Sequence, residues 1–253
     1  MQFPDPSFRS TPRWSSAAGR NGNGTLTTNL PRVDARCEYG PMSNTSSEQS
    51  QRIVLARHAE TEWSISGQHT GRTDIDLTAA GRDAAVKLGE RIAGHRFDRA
   101  ISSPLQRARD TASLAGFSDV EIDENLLEWD YGDYEGVTTA NIRAERPGWD
   151  LWSDGAPNGE TPQQVAERAD AAVANAVSIC ESGCDAIVFG HGHMLTALAV
   201  RWIGLPLEHG KRFRISTGSI GILRWKRENR VLDLWNDRSH LSRAIDDEIS
   251  AKR

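Results

Sequence analysis

IVLARHAETEW (residues 53–63) decides how this chain is to be read. Ile53, Val54, Leu55 and Ala56 make an apolar run of the length expected for a buried strand. The run ends on Arg57 and His58, side by side, followed by Ala59, Glu60 and Thr61. In open α/β sheets, ligands sit beyond the carboxyl ends of the strands. A strand that delivers a guanidinium and an imidazole to that edge places chemistry where such a fold binds its ligands.

The sequence downstream alternates in the same style. Thr78 can cap a helix whose face carries Ala84, Leu88 and Ile92. Arg99–Ser102 reads as a short strand, and Pro104 opens a helix running to about Ala115. Thr161-Pro162-Gln163-Gln164 is a capping box with proline at the first helical position. Val165, Ala169, Ala172, Ala176 and Val177 share a face of the helix that follows, which ends near Gly183. Ala186-Ile187-Val188-Phe189 is a second buried strand, leading into Gly190-His191-Gly192-His193. Met194–Ile203 is a helix, and Ser219–Trp225 and Val231–Trp235 are two final strands. Strands alternating with helices predict an α/β fold, a three-layer α/β/α sandwich around a mainly parallel central sheet.

The composition changes near residue 50. Residues 1–50 are rich in Ser, Thr, Asn, Gly, Pro and Arg and lack apolar periodicity, so they read as a disordered tail. No apolar h-region marks a secretory signal. The first 36 residues carry five Arg against two Asp, which leaves an organellar transit segment as the alternative to a cytoplasmic protein. Met42 is an alternative start. Residues 51–237 form the expected domain, and residues 238–253 a polar C-terminal tail.

With 253 residues, 38% hydrophobic and 26% charged, the chain has the composition of an ordinary globular protein. A net charge of −5 speaks against a nucleic-acid or anionic-membrane partner, and no run of about 18 apolar residues spans a bilayer. Cys37, Cys180 and Cys184 are too few for a disulfide framework and are expected as reduced thiols.

Three more stretches converge on the strand ends. SSPLQRARDTA (102–112) puts Arg107 and Arg109 just after a strand, LLEWDYGDYEG (126–136) brings Glu128, Asp130, Asp133 and Glu135, and the 189–193 stretch adds His191 and His193. Taken singly, these are a structural histidine, surface arginines and a solvated acidic loop. Taken together, two histidines, arginines and a carboxylate build a positive pocket with an acid beside it. Guanidinium groups hold phosphate oxygens in bidentate fashion, and helix N-termini add backbone donors, so such a pocket suits a phosphoryl group.

RHAET, TGRTDIDLTAAG, SPLQRARDTA, LLEWDYGDYEG and FGHGH, in that order, resemble the histidine phosphatase superfamily in the branch that contains the phosphoglycerate mutases. The resemblance covers about residues 51–237. EWDYGDYEG with WDLWSDGAPNGET is similar to sedoheptulose-bisphosphatase-like and actinobacterial acid-phosphatase members. It implies a metal-independent phosphomonoesterase without a cofactor, acting on a small phosphorylated substrate through a phosphohistidine. His58 is then the nucleophile, Arg57 and Arg107 hold the phosphate, His191 donates to the phosphoryl oxygens, and Glu128 is the general acid and base. Ser64, Thr70, Gly71, Tyr131, Gly192 and His193 fall on substrate-contacting positions, with a helix-start role as the alternative for His193. Members of this branch often form dimers or tetramers, so a homo-oligomer is also implied.

Two positions depart from the family pattern. Ala59 stands where Gly is usual, and introduces strain if positive φ is needed there. Ser64 stands where the mutases carry Asn, and a hydroxyl reaches less far. The segment from Glu128 to His191 is also shorter than in the mutases and lacks their basic insertion. The departures at Ser64 and in this segment favour hydrolysis over mutase activity. A phosphoglycerate mutase, a silent phospho-ligand or protein-binding module, and a metal hydrolase built on His191-Gly192-His193 are the alternatives. His69, His95, His209 and His240 are expected at the surface. Trp63, Trp129, Trp149 and Trp152 either wall the pocket or pack the core.

Overall fold

The protein is described from a computed structural model over residues 51–241. Expectations for residues 1–50, and for all but the first few residues of the C-terminal tail, lie outside the described residues. Six strands form one sheet in the order β3-β2-β4-β1-β5-β6. In chain order these are β1 (Arg52–Arg57), β2 (Arg99–Ser102), β3 (Glu121–Ile122), β4 (Ala186–Gly190), β5 (Ile220–Lys226) and β6 (Asn229–Asp237). Strands β3, β2, β4 and β1 run parallel. The last two make an antiparallel hairpin on the β1 side, so the sheet is mixed, with its parallel part at the centre.

The helices are α1 (Glu62–Ser66), α2 (Ala79–Ile92), α3 (Gln106–Leu114), α4 (Thr139–Glu145), α5 (Leu151–Asp154), α6 (Pro162–Glu181) and α7 (Gly192–Trp202). Side chains alternate between faces along a strand, and this makes three layers. Ile53 and Leu55 of β1 and Ala186 and Val188 of β4 pack with Val165, Ala169, Ala172, Ala176 and Ile179 of α6 and with α7. Val54 and Ala56, with Ile187 and Phe189, pack on the other face against Leu88 and Ile92 of α2 and Ala112 of α3. Because both faces are covered, β4 is buried at every residue, which is why its sequence shows an apolar run instead of alternation.

Local signals place the helices well. Thr78 Oγ1 accepts from the Gly81 N–H at the start of α2, and Leu88 and Ile92 are buried while Ala84 is half-buried. The Thr161–Gln164 capping box opens α6 with Pro162 at its start. The expectation at Pro104 needs correction, since α3 begins at Gln106. Ser103 Oγ accepts from the Leu105 N–H, and Asp74 Oδ1 accepts from the Gln106 N–H. These side chains hold residues 103–105 in a turn and cap the helix two residues later. The expected reduced state holds for Cys180, a buried free thiol, whereas Cys184 is not a free thiol.

The acidic stretch after Leu127 folds against residues 157–160. Gly132 has φ of +48°, and a Cβ there would stand 2.1 Å from Pro157 O and 2.4 Å from Gly159 N. Both the backbone conformation and the space require glycine. Gly132→Ala is expected to destabilise the fold by about 2 kcal/mol. Urea denaturation measures this, and an unchanged midpoint would show that the two segments are not packed as described.

Candidate active site

Strands β2, β4 and β1 are neighbours, so their carboxyl ends lie side by side. Arg57 is paired with Gly190, and Ser102 with Phe189. The residues that follow each strand therefore meet. The His58 N–H donates to Gly190 O at 2.9 Å, and the Arg57 N–H to Ser219 O at 3.1 Å. The His58 and His191 rings stand 5.3 Å apart. Arg107, the second residue of α3, is fully buried.

His58 Nδ1 lies 2.8 Å from the carbonyl oxygen of Ala59. A carbonyl only accepts, so Nδ1 carries the hydrogen and Nε2 carries the lone pair. Burial, followed by the charges of Arg57 and Arg107, pushes the His58 pKa well below its ordinary value, which keeps the ring neutral. The Ala59 N–H donates to Thr111 Oγ1 at 3.0 Å, and Thr111 in turn donates to Arg107 O at 2.7 Å. Ala59 itself is fully buried against Leu77 and Ala85 and is not among the residues with positive φ. Its methyl group is accommodated without backbone strain.

The arginines are held by carbonyls. Arg107 donates to Thr70 O, Gly71 O and Thr73 O, each at 3.0 Å. Arg57 donates to Ile215 O at 2.6 Å and packs against Gly192, where a Cβ would lie 3.1 Å from its guanidinium carbon. Arg57 Nε, Arg107 Nε and His191 Nδ1 are buried without a hydrogen-bond partner among the described residues. Buried donors without acceptors are rare. The two guanidinium donors and the unpaired His191 nitrogen, gathered around the His58 imidazole, form a receptor for an anion that brings several oxygens.

Glu128 is buried beside this cluster. Its Oε1 accepts from the N–H groups of Trp129 and Met194, both at 2.9 Å, and its Oε2 from that of His193 at 3.0 Å. The N-terminus of α7 therefore holds the acid, whereas backbone donors at helix starts were expected to face the phosphate. Arg168 of α6 fixes the same loop. It pairs with both carboxylate oxygens of Glu160 at 2.7 Å and donates to Asn125 O, Leu127 O and Glu128 O. Neither Arg168 nor Glu160 belongs to the expected set, although a lone arginine on an otherwise small-residue helix face was a visible signal.

The remaining expected residues divide. Thr70, Tyr131, Gly192 and His193 line a pocket of about 420 Å³ together with Arg57, His58 and Glu128. Ser64 also reaches it, but its hydroxyl donates to Thr61 O and accepts from the Thr61 N–H in a capping box at the start of α1. Gly71 stands behind the wall, its N–H donating to the Glu135 carboxylate. Asp130 and Asp133 bond the neighbouring backbone and Asn158, and Arg109 is exposed.

His69 is a correction. It is buried, lines the pocket, stacks on Tyr131 at 4.6 Å and hydrogen-bonds Thr139 through Nε2 at 3.2 Å. Only His95 of the four is exposed, while His209 and His240 are half-buried. Trp63 and Trp152 line the pocket, and Trp129 and Trp149 belong to the core. Lys211, Phe213 and Arg214 also line it, from a segment with no motif to announce it. The metal-hydrolase alternative lacks a ligand set, since among the described residues no three His, Cys, Asp or Glu are placed to share an ion.

A model of the histidine phosphatase superfamily (branch 1) matches residues 53–238. The chain belongs to that superfamily. It is 45% identical over 175 residues to an acid phosphatase of Mycobacterium tuberculosis, covering 68% of this chain and 86% of that protein. It is 36% identical over 188 residues to the sedoheptulose 1,7-bisphosphatase of Saccharomyces cerevisiae, covering 62% of this chain and 69% of that one. Among solved structures, the product of an open reading frame of M. tuberculosis superposes with a TM-score of 0.70 at 43% identity, covering 74% of this chain and 99% of that one. The phosphatase fold of the superfamily and the mixed sheet described above agree. No helix among the described residues is long and apolar enough to cross a membrane.

Four imidazoles in this site are held below their ordinary pKa. Burial is the first cause for His58, His69, His191 and His193, and His69 is lowered to about 4. In the unfolded chain these groups take up protons near pH 6.5, so below that pH the unfolded state binds more protons than the folded one. Stability must then fall as the pH drops through about 6.5. Urea midpoints at pH 7.5 and pH 5 test this, and an undiminished midpoint at pH 5 would show that the imidazoles ionise in place.

Proposed function

We propose that the strand-end cluster hydrolyses phosphomonoesters in two displacements at His58. The chain is a phosphatase of the histidine type, and small phosphorylated metabolites are its substrate class. The observation that carries the residue assignment is the tautomer of His58. With Nδ1–H given to Ala59 O, the Nε2 lone pair is available to attack phosphorus. Arg57, Arg107 and His191 offer their unpartnered donors to the equatorial oxygens, where charge gathers during transfer.

Glu128 supplies the proton to the leaving oxygen and later takes one from water. Both lone pairs of its Oε1 are occupied by backbone donors, while Oε2 accepts only one. Oε2 is thus the oxygen that carries the proton. Splitting hydrolysis at a covalent intermediate lowers each barrier. Thr70, Tyr131, His193 and His69 contact the rest of the substrate. The name of the M. tuberculosis relative and that of the yeast relative support two substrate readings, a broad acid phosphatase and a sugar bisphosphatase, with the latter preferred. The short segment between Glu128 and His191, which lacks the basic insertion of the mutases, supports hydrolysis over mutase activity, because water can reach the intermediate.

Phosphate release in EDTA from sedoheptulose 1,7-bisphosphate, fructose 1,6-bisphosphate, 3-phosphoglycerate and p-nitrophenyl phosphate separates these readings. His58→Ala is expected to lower the rate by roughly 10³-fold or more, and acid-labile phosphate should be trapped on the wild-type protein only. Release that persists in His58→Ala would overturn the assignment. Conversion of 3-phosphoglycerate without release would identify a mutase.

The rate should also tolerate acid. His58 must be neutral to attack, and its protonation is displaced well below the ordinary histidine value. The acid limb of kcat/KM that reports the free enzyme is expected below about pH 6.5. A limb centred at or above that value would contradict the buried, doubly flanked imidazole.

A further inference from the structure

Ser103 has no part in the chemistry assigned so far, yet it touches one of the reacting groups. It follows β2 directly and is fully buried. Its N–H donates to Phe189 O at 3.0 Å, which fixes it against β4 two residues before His191. Its hydroxyl oxygen lies 2.7 Å from His191 Nε2 and also accepts from the Leu105 N–H at 3.3 Å. The other nitrogen of the His191 ring, Nδ1, is buried and unpartnered.

Burial, and then the charge of Arg107, hold the His191 pKa well below its ordinary value. The ring is therefore neutral, with one N–H and one lone pair. Two arrangements exist. If Nε2 carries the hydrogen, it donates to Ser103 Oγ, the serine hydrogen has no acceptor among the contacts of the described residues, and a buried lone pair on Nδ1 opposes any phosphoryl oxygen. If instead the serine donates to Nε2, its oxygen still accepts from Leu105, and Nδ1–H becomes a donor in the cluster of His58, Arg57 and Arg107. Only the second arrangement satisfies the serine and leaves the site with a third donor for the phosphoryl oxygens.

We propose that Ser103 sets the tautomer of His191, its hydroxyl donating to Nε2 so that the proton resides on Nδ1 and donates to a phosphoryl oxygen. This rests on the phosphatase reading of the cluster. Ser103 acts through His191 and is a positioning residue.

Long-range ¹H–¹⁵N correlation spectra of the full-length, ¹⁵N-labelled protein at pH 7.5, with His191 assigned through its backbone, read the tautomer directly. The wild-type protein is expected to show Nδ1–H at His191. An Nε2–H pattern there would overturn the proposal before any variant is made. Ser103→Ala is expected to shift the His191 signals toward a mixture of tautomers and to lower kcat by about 10²-fold, with KM changed by less than about threefold. A Ser103→Ala protein that keeps both the Nδ1–H pattern and the wild-type kcat would also overturn it. A wild-type protein that releases no phosphate from any ester would defeat the phosphatase reading instead, because the spectrum is taken on the resting protein.

Discussion

Two guanidinium groups held inside the protein, with no direct carboxylate partner among the described residues, set the terms for everything around them. Removing a charge from water costs several kcal/mol even after relaxation, and a carboxylate would be the usual compensation. Here Arg107 is compensated by the carbonyls of Thr70, Gly71 and Thr73, and Arg57 by that of Ile215. Carbonyl dipoles orient and solvate a cation without neutralising it. The positive charge therefore stays available to an incoming anion, and it also disfavours protonation of His58 and His191. One arrangement of dipoles thus makes both a cationic cluster open to an anion and a neutral His58, as the proposed displacement at that residue requires.

The same constraint explains where the helix N-terminus is used. A carboxylate free to move would collapse onto Arg57 or Arg107 and close the receptor. Glu128 is prevented from doing so by three backbone donors, two of them in the first turn of α7. The Arg168–Glu160 pair then holds the loop that carries it, from behind. A helix start next to a phosphate site is commonly read as phosphate-binding, but here the start of α7 restrains Glu128, and under the proposed function the cationic side chains are what remain for the phosphate.

Much of this was legible in the sequence, for identifiable reasons. Five of the six strands, the caps at Thr78 and Thr161, and the placing of Arg57, His58 and His191 at strand ends follow from local patterns, whereas the two-residue β3 has no apolar run to announce it and Arg107 and Glu128 are singled out by the family resemblance. The start of α3 was misplaced because Asp74, distant in sequence, caps it. His69 looked like a loop residue, yet the turn from Val137 to Thr139 covers it, through a backbone bond to Val137 O and a side-chain contact to Thr139. Ser64 reads as a substrate contact, but its hydroxyl is satisfied locally at the start of a short helix. Such long-range cappings and local competitions leave no periodic trace, and neither does the 210–215 segment.

Under the proposed function, that segment joins substrate selection to phosphoryl positioning. Lys211, Phe213 and Arg214 face the pocket, while Ile215 O holds Arg57. Lys211 pairs with Asp150 at 3.5 Å, and Gly210 lies so close to Trp152 that a Cβ would stand 2.2 Å from the indole. The segment is thereby packed onto α5, which also contributes Trp152 to the pocket wall. A side chain changed in α5 to suit a different leaving group moves the backbone that orients Arg57, because tightly packed elements transmit displacement instead of absorbing it. Under the proposed function, substrate range is therefore tied to the alignment of Arg57, and a wider pocket comes with a less well-aligned guanidinium unless the 210–215 backbone is held by some other contact.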